Sequence, residues 1–375
     1  MRSHARVAEL FPVAAALLAA SATCSASALP KYVVDPTWNL RLPPCVGLFS
    51  AVAVSGDLVF VSQRNASFAD PVLMLNRAGD LLLSFGAEHV GRANGTFGSH
   101  GLAVQPADLV SGRREETIWV MDFFNHAVLS FNLTGELLGK AGRNGAASAE
   151  PDGFGNVADA AFRGGSAFFS DGDGGEDNRI ERWAAASGRP EHIEWVSPVA
   201  PPAGRKKQSF DNPHSVCWHE TSDRLIVADR ENSRLVLVDP ETGALSGELR
   251  CDGLGLGTRD GPKPFGVRTL RTADADLLFV AVADNPQDGK NQFVHVVDVS
   301  TLAEDGRCKA VLQSIAFAPP GEKGHSRQLG ACRTPHLLGV DSNRGDIYLA
   351  CIAEPGSNVL RLVQSTESGV PLIVS

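Results

Sequence analysis

The sequence predicts an all-β chain folded as a single six-bladed β-propeller, on three observations. Short runs of β-branched, aliphatic and aromatic residues are separated by clusters of Asp, Asn and Gly, the pattern of antiparallel strands joined by hairpins. One strand–turn–strand sequence recurs along the chain in degraded form. No stretch sustains an apolar period of 3.6 residues, so helices should be few and short. Four-stranded units repeating every ~50–60 residues are expected to close radially, because each twisted sheet then buries both faces against its neighbours. A pair of β-sandwiches would use the same strands but leaves the recurrence unexplained.

The recurring sequence is clearest from Asp211 to Arg234. A Pro213-His214 step opens an apolar strand, and Leu225-Ile226-Val227-Ala228 forms a second. Asp229-Arg230-Glu231-Asn232-Ser233-Arg234 then leads into Leu235-Val236-Leu237-Val238. Taken from the N-terminal side, the first repeat opens at Ser50-Ala51-Val52-Ala53-Val54. It continues through Leu58-Val59-Phe60-Val61, Val72-Leu73-Met74-Leu75 and Leu81-Leu82-Leu83, with Arg77-Ala78-Gly79-Asp80 as a hairpin turn. The second carries Ser99-His100-Gly101-Leu102 and Ile118-Trp119-Val120-Met121-Asp122, and ends near Gly139. The third opens at Gly155-Asn156-Val157-Ala158-Asp159. Its second strand, Ala167-Phe168-Phe169-Ser170-Asp171, runs into a loop, Gly172 to Asp177, rich in Gly and acid. The fourth is the Asp211 repeat, the fifth opens at Pro264-Phe265-Gly266-Val267, and the sixth at Pro335-His336-Leu337-Leu338. The channel should be lined by strands beginning near Val52, His100, Ala158, His214, Phe265 and His336.

Composition sets outer bounds. With 375 residues, 43% hydrophobic and 21% charged, the chain can bury a sizeable core. A net charge of -9 argues against a nucleic-acid partner, since phosphate binding relies on clustered Lys and Arg. The one basic cluster, Arg205-Lys206-Lys207, lies in a Pro/Gly-rich loop. Residues 1–28 read as a secretory signal peptide: Arg2, His4 and Arg6, an apolar run from Leu10 to Ala20, and a small-residue site, Ala26-Ser27-Ala28. Residues 29–44 are expected to be an N-terminal lead-in segment and 45–375 the propeller. No later stretch is long and apolar enough for a helix to span a bilayer, so no membrane insertion is expected. Secretion, or residence in the secretory lumen, follows. Without Cys24 the remaining cysteines are Cys45, Cys217, Cys251, Cys308, Cys332 and Cys351, and their disulfide pairing stays open. Sequons stand at Asn65, Asn94 and Asn132. A monomer is expected.

The chemistry concentrates in three histidines. His100, His214 and His336 hold the same position in their own repeats, two repeats apart each time. In the repeats between them that position holds Ala158 and Phe265. Alternate blades of a six-bladed ring are related by a near-threefold axis, so three imidazoles would face one point. Three His and an open fourth position is a catalytic zinc arrangement. Any one of these residues read alone is a structural histidine capping a strand; the threefold set favours metal. Arg64 and Arg230 end the second strands of repeats one and four, where a guanidinium could clamp a carboxylate or else rigidify a turn with a neighbouring acid.

Phe210-Asp211-Asn212-Pro213-His214-Ser215, with Val227-Ala228-Asp229-Arg230-Glu231-Asn232-Ser233-Arg234, resembles an NHL-type repeat. From roughly Cys45 to Val363 the array resembles the peptidyl-α-hydroxyglycine α-amidating lyase family. The resemblance implies a six-bladed propeller holding zinc through His100, His214 and His336, with Arg64 and Arg230 near the substrate. It implies a peptide substrate ending in α-hydroxyglycine, cleaved at its N–Cα bond to a peptide amide and glyoxylate. The chain departs from that pattern in several places. A catalytic Tyr that the family places after a Ser-Asp-Gly step is Asp173 here, after Ser170-Asp171-Gly172, and the only tyrosines are Tyr32 and Tyr348. A family Met is Thr334, and the family's calcium-binding Asp is Leu337, leaving only the backbone positions Val52 and Leu102 for calcium. Asp173, or Asp177 carried inward by a longer loop, is the expected replacement base. The competing reading is a secreted, non-catalytic NHL propeller that binds peptide or glycan and keeps the metal structurally. A metal-dependent lactonase would need Glu, Asn and Asp ligands that this threefold His set does not supply.

Overall fold

A computed structural model of the chain describes residues 29–43, 46–143, 145–148, 150, 152–174, 177–197, 210–257, 261–285, 290–302, 306–317, 331–352 and 357–365. It is an all-β six-bladed propeller built from six four-stranded antiparallel sheets. The first blade runs Phe49–Ser55, Leu58–Gln63, Val72–Asn76 and Leu81–Phe85, from the channel outward. The innermost strands of the other five are Ser99–Gln105, Val157–Arg163, Pro213–His219, Lys263–Arg271 and Pro335–Val340. No helix among the described residues is long and apolar enough to cross a membrane.

The near-continuous apolar runs in the sequence have a direct cause. Successive side chains of a strand point to opposite faces, and in a propeller both faces meet another blade. Val59 and Val61 pack with Tyr348 and Val359 of the sixth blade, while Phe60 between them packs with Val120, Leu129 and Phe131 of the second. Trp119, Met121 and Val128 meet Phe169 and Trp183 between blades two and three. Phe168 and Ile180 meet Val227 and Val236 between three and four. Each fully buried aliphatic or aromatic side chain stabilises the ring by about 1.5–3 kcal/mol relative to exposure.

A repeated polar device ties the lead-in segments of blades two, three and four to their second strands. Asp122, Asp171 and Asp229 end the second strands of blades two, three and four, and all are fully buried. Each accepts a hydrogen bond from the backbone N–H of the segment leading into its own blade: Gly91 at 2.7 Å, Gly155 at 2.9 Å and Asp211 at 2.7 Å. In blade one Gln63 ends the second strand, and its Oε1 accepts instead from the N–H of Asn65, two residues further on, at 2.9 Å. Buried carboxylates persist only where such partners exist.

The N-terminal segment does more than lead into the fold. Lys31–Val34 is the outermost strand of the sixth blade, paired antiparallel with Asn358–Ser365 in the register Lys31↔Ser365 to Val34↔Leu362. Trp38, Leu40 and Leu42 then fill the seam between blades one and six, and Trp38 Nε1 donates to the Arg77 carbonyl at 2.8 Å. The expected boundary near residue 45 therefore moves to the start of this strand. Two disulfides form, Cys251–Cys308 near the outer strands of blades four and five and the buried Cys332–Cys351, which ties the lead-in of blade six to the end of its second strand, while Cys217 is a buried free thiol. Cys45 and the basic cluster Arg205-Lys206-Lys207 lie outside the described residues.

Candidate metal centre

Each inner strand carries a local register slip against its neighbour, a β-bulge that re-aims one side chain. The slips fall at Ser50, His100, Ala158, His214, Phe265 and, in a two-residue version, at His336 and Leu337. In blade one the equivalent of His100 is thus Ser50, two residues before the Val52 start expected from sequence. The bulges turn His100, His214 and His336 toward the channel axis. Their ring centroids lie 5.0, 4.8 and 4.7 Å apart, and one ligand nitrogen from each ring lies within 4.8 Å of the others. All three residues are buried.

The blades between them supply the other half of the arrangement. The Nδ1–H of His100 donates to the carbonyl of Ala158 at 2.9 Å, His214 to Phe265 at 2.6 Å, and His336 to Ser50 at 2.5 Å. Each acceptor is the bulge residue of the next blade. A proton fixed on Nδ1 leaves the Nε2 lone pair of every ring facing the shared point. Burial, reinforced by the charges of Arg230 and His100, pushes the His214 pKa down to about 3, against a smaller raising effect of Asp173. His336 is held well below its usual range, first by burial and then by its neighbouring imidazoles. His214 Nε2 is fully enclosed and has no hydrogen-bond partner among the described residues. Three pre-oriented imidazoles, two of them held neutral by burial and one with an unpartnered inward nitrogen, form the kind of donor set that zinc takes.

Asp173 stands at the mouth of this triad. Its Oδ2 is 3.0 Å from His100 Nε2; its Oδ1 is 3.9 Å from His214 Nε2 and 3.0 Å from Arg230 Nη1. Burial would raise its pKa, but the contact with His100 and the Arg230 charge outweigh it and hold the carboxyl well below the ordinary value. The loop is fixed from behind, because the N–H groups of Gly172 and Asp173 both donate to the Asn156 carbonyl at 3.0 Å. Asn156 Nδ2 in turn donates to the Asp173 carbonyl at 2.9 Å. A side chain at Gly172 would begin 2.5 Å from Pro213 Cδ, so only glycine lets the loop come this close to the His214 strand.

The two arginines differ. Arg230 is held by Asp173 and, through Nε, by Glu231 at 2.9 Å, and it lies 5.1 Å from the Phe265 ring centroid. Arg64 donates Nε to the Phe97 carbonyl at 3.2 Å and lies 5.9 and 5.8 Å from the Phe123 and Phe124 rings. No carboxylate among the described residues lies within ion-pair distance of it. Its burial lowers its pKa, partly offset by the Asp173 charge. Asp177 does not join the triad in this arrangement; its carboxylate and that of Asp171 both crowd Gly155. There Arg179 Nε lies 3.2 Å from Asp171 Oδ2 and 2.7 Å from Glu181 Oε1. Burial pushes Asp171 up to about 7 and Glu181 well above its usual range, so this pair retains a proton. Leu337, where the resembled family has its calcium-binding Asp, packs with Ala51 and Leu102 instead.

One channel pair escaped the sequence reading. Directly after the bulge of blade three, buried Asp159 takes a bidentate contact from Arg268 of blade five, at 2.6 and 2.7 Å, and a 2.6 Å bond from Ser215 of blade four. An acid inside the apolar strand Val157–Arg163 was the available signal. Beyond it the channel widens into a cavity of about 260 Å³, lined by Val54, Val104, Phe162, Trp218 and Arg268 among others. Among the remaining histidines, His219 bonds Ser222 and His295 bonds Ser314, both packing roles.

No protein-family model matches the chain. It is 27% identical over 350 residues to NHL repeat-containing protein 3 of Homo sapiens, covering 91% of this chain and 86% of that protein. The Mus musculus protein of the same name is 27% identical over 344 residues, covering 86% and 81%. Among solved structures, a Bacteroides thetaiotaomicron protein of unknown function is similar with a TM-score of 0.54 at 11% identity, over 90% of this chain and 76% of that one. An auxiliary nutrient binding protein from Bacteroides ovatus gives 0.51 at 14% identity, over 90% and 78%. The sequence relatives support the NHL repeat, and the solved structures support the propeller fold alone.

Proposed function

We propose that this propeller is a zinc-dependent carbon–nitrogen lyase that cleaves a peptidyl-α-hydroxyglycine to a peptide amide and glyoxylate. The observation that carries the reading is the convergence, at one end of the channel, of three imidazoles with fixed tautomers, one carboxylate and two guanidinium groups. Zinc bound by His100, His214 and His336 would polarise the substrate hydroxyl and lower its pKa. Arg64, with no carboxylate partner among the described residues, suits the carboxylate end of the substrate, and Arg230 is the second cation within reach. Asp173 stands where it can accept the hydroxyl proton. As that proton leaves, the C–O bond becomes the aldehyde of glyoxylate and the N–Cα electron pair passes to nitrogen. Nitrogen takes up a proton, so the products balance the substrate. An ion-paired carboxylate is a weak base, so turnover should be slow, general-base catalysis being worth ~10²–10⁴-fold.

The two disulfides support placing the protein in an oxidising, secretory compartment. One observation favours a second reading. Asp173 already engages Arg230, which suits a non-catalytic propeller that keeps its metal structurally and binds peptide or glycan. The test is glyoxylate release from a peptidyl-α-hydroxyglycine by the zinc-loaded, purified protein. Release above the uncatalysed background supports the lyase; binding without release supports the second reading.

A further inference from the structure

We propose that the end of the channel remote from the histidines is a second binding site, which takes a small carboxylate with a compact apolar body. The site is independent of the metal centre and of any lyase activity. The inner strands build it by position. Three residues after each bulge the side chain is small in five blades, at Ala53, Ala103, Ala161, Cys217 and Gly339, and only blade five departs, with Arg268. One residue later comes a collar of half-buried side chains, Val54, Val104, Phe162, Trp218, Thr269 and Val340, all but the threonine apolar. Small residues grouped around one arginine leave the cavity of about 260 Å³ that the collar rims. Four strand residues span roughly 13 Å, so the cavity stands well clear of the imidazoles.

The polarity of the floor selects the ligand. Asp159 and Ser215 directly follow the bulge residues Ala158 and His214, so the Asp159–Arg268–Ser215 network lies between the cavity and the imidazoles. The Asp159 carboxylate is wholly enclosed, whereas 15% of the Arg268 side chain stays exposed, so the ion pair turns its positive end to the cavity. Arg268 directs Nη1 and Nη2 to Asp159, Ser215 and the carbonyls of Val216 and Val267, and its Nε has no acceptor among the described residues. No other charged side chain of the described residues lines the cavity. A guanidinium in apolar surroundings pairs strongly with an anion, and the collar buries the apolar body that such an anion carries. Phe162 and Trp218 offer flat walls to an aromatic ring. The volume suits a small molecule, and a partner helix, ~10–12 Å across, does not enter it.

The experiment titrates the full chain with phenylacetate and, in parallel, with the neutral phenylacetamide, following the heat of binding and tryptophan emission. The wild type should bind phenylacetate with a change in emission that Trp218→Phe removes, and should bind the amide at least ~10-fold more weakly. Val104→Trp, at a half-buried collar position, should fill the cavity and weaken phenylacetate at least ~10-fold. Asp159→Asn combined with Arg268→Met removes the ion pair as a unit and should bind acid and amide alike. If that double variant fails to fold, Val104→Trp decides. Equal affinity of the wild type for acid and amide would overturn the proposal, as would failure to bind phenylacetate or undiminished binding by Val104→Trp. Heat of binding without the Trp218 signal would place the probe elsewhere and overturn it too. None of these outcomes depends on zinc or on glyoxylate release.

Discussion

Blades two, four and six place an imidazole at the inner-strand bulge, while blades one, three and five place Ser50, Ala158 and Phe265 there and offer each imidazole a carbonyl oxygen. The two sets occupy equivalent backbone positions and do opposite kinds of work. In the even blades the side chain itself supplies the ring nitrogens that converge on the axis. In the odd blades the backbone orients the ring, whatever the side chain: a hydroxymethyl, a methyl or a benzyl group stands beside the same carbonyl. The contrast shows that a propeller can make a threefold cluster from a sixfold frame, with imidazoles from alternate blades and orienting carbonyls from the rest.

The sharpest way to break that contrast is to remove one even-blade side chain. His214→Ala should lower zinc affinity by more than ~100-fold, beyond what loss of an orienting partner costs. Metal analysis after dialysis against a chelator checks it, and a variant that retains one zinc would dissolve the distinction between the blade sets. Next comes the spacing between sets. A methyl group at Gly101 would begin 2.2 Å from the Ala158 carbonyl oxygen, the acceptor for His100. Gly101→Ala should therefore destabilise the protein by about 1–3 kcal/mol and weaken metal binding as well, read from denaturant unfolding and from competition with a chromophoric chelator. An unchanged midpoint would mean that the blades part at no cost.

Acid and base act on the two sets with opposite signs. In the metal-free protein His214 titrates at about 3 when folded, against 6.5 in the unfolded chain. The unfolded state binds the extra proton, so this stability is present above pH 6.5 and is lost as pH falls toward 3, by up to ~1.4 kcal/mol per unit. Asp171 in blade three behaves the other way. Its folded value of about 7 exceeds the ordinary 3.8, so the folded state keeps a proton that the unfolded chain releases. Its contribution falls as pH rises from about 3.8 to about 7. Asp171→Asn should flatten the loss on the upper side and leave the acid limb intact, as measured by urea unfolding across pH 4–8. A loss on the upper side as steep as in the wild type would remove Asp171 as its source. The smallest effect is expected from Ala158→Ser, which keeps the carbonyl and should change zinc affinity by less than ~2-fold. A tenfold change would show that odd-blade side chains matter after all.

The legible part of this molecule was the part written in side chains at regular intervals. The three histidines and the strand-exit arginines could be placed by counting repeats, and the acid after Gly172 by the family resemblance; the structure brings Arg230, Asp173, His100 and His214 together. Three things lay beyond such counting. Backbone carbonyls that orient rings leave no residue signature. The Asp159–Arg268 pair joins residues 109 positions apart, which no local pattern connects. The closing strand Lys31–Val34 is four residues long, and its partner stands near the other end of the chain.

That closing strand gives the ring an order of assembly. Residues 31–34 and 358–365 share one sheet, so the earliest-made part of the propeller waits edge-open for the latest. A growing chain that stops short of residue 335 owns two of the three imidazoles and no sixth blade to bring a third. Pairings so distant in sequence close slowly. A threefold cluster of imidazoles therefore exists only once the last blade has been made and the ring has closed.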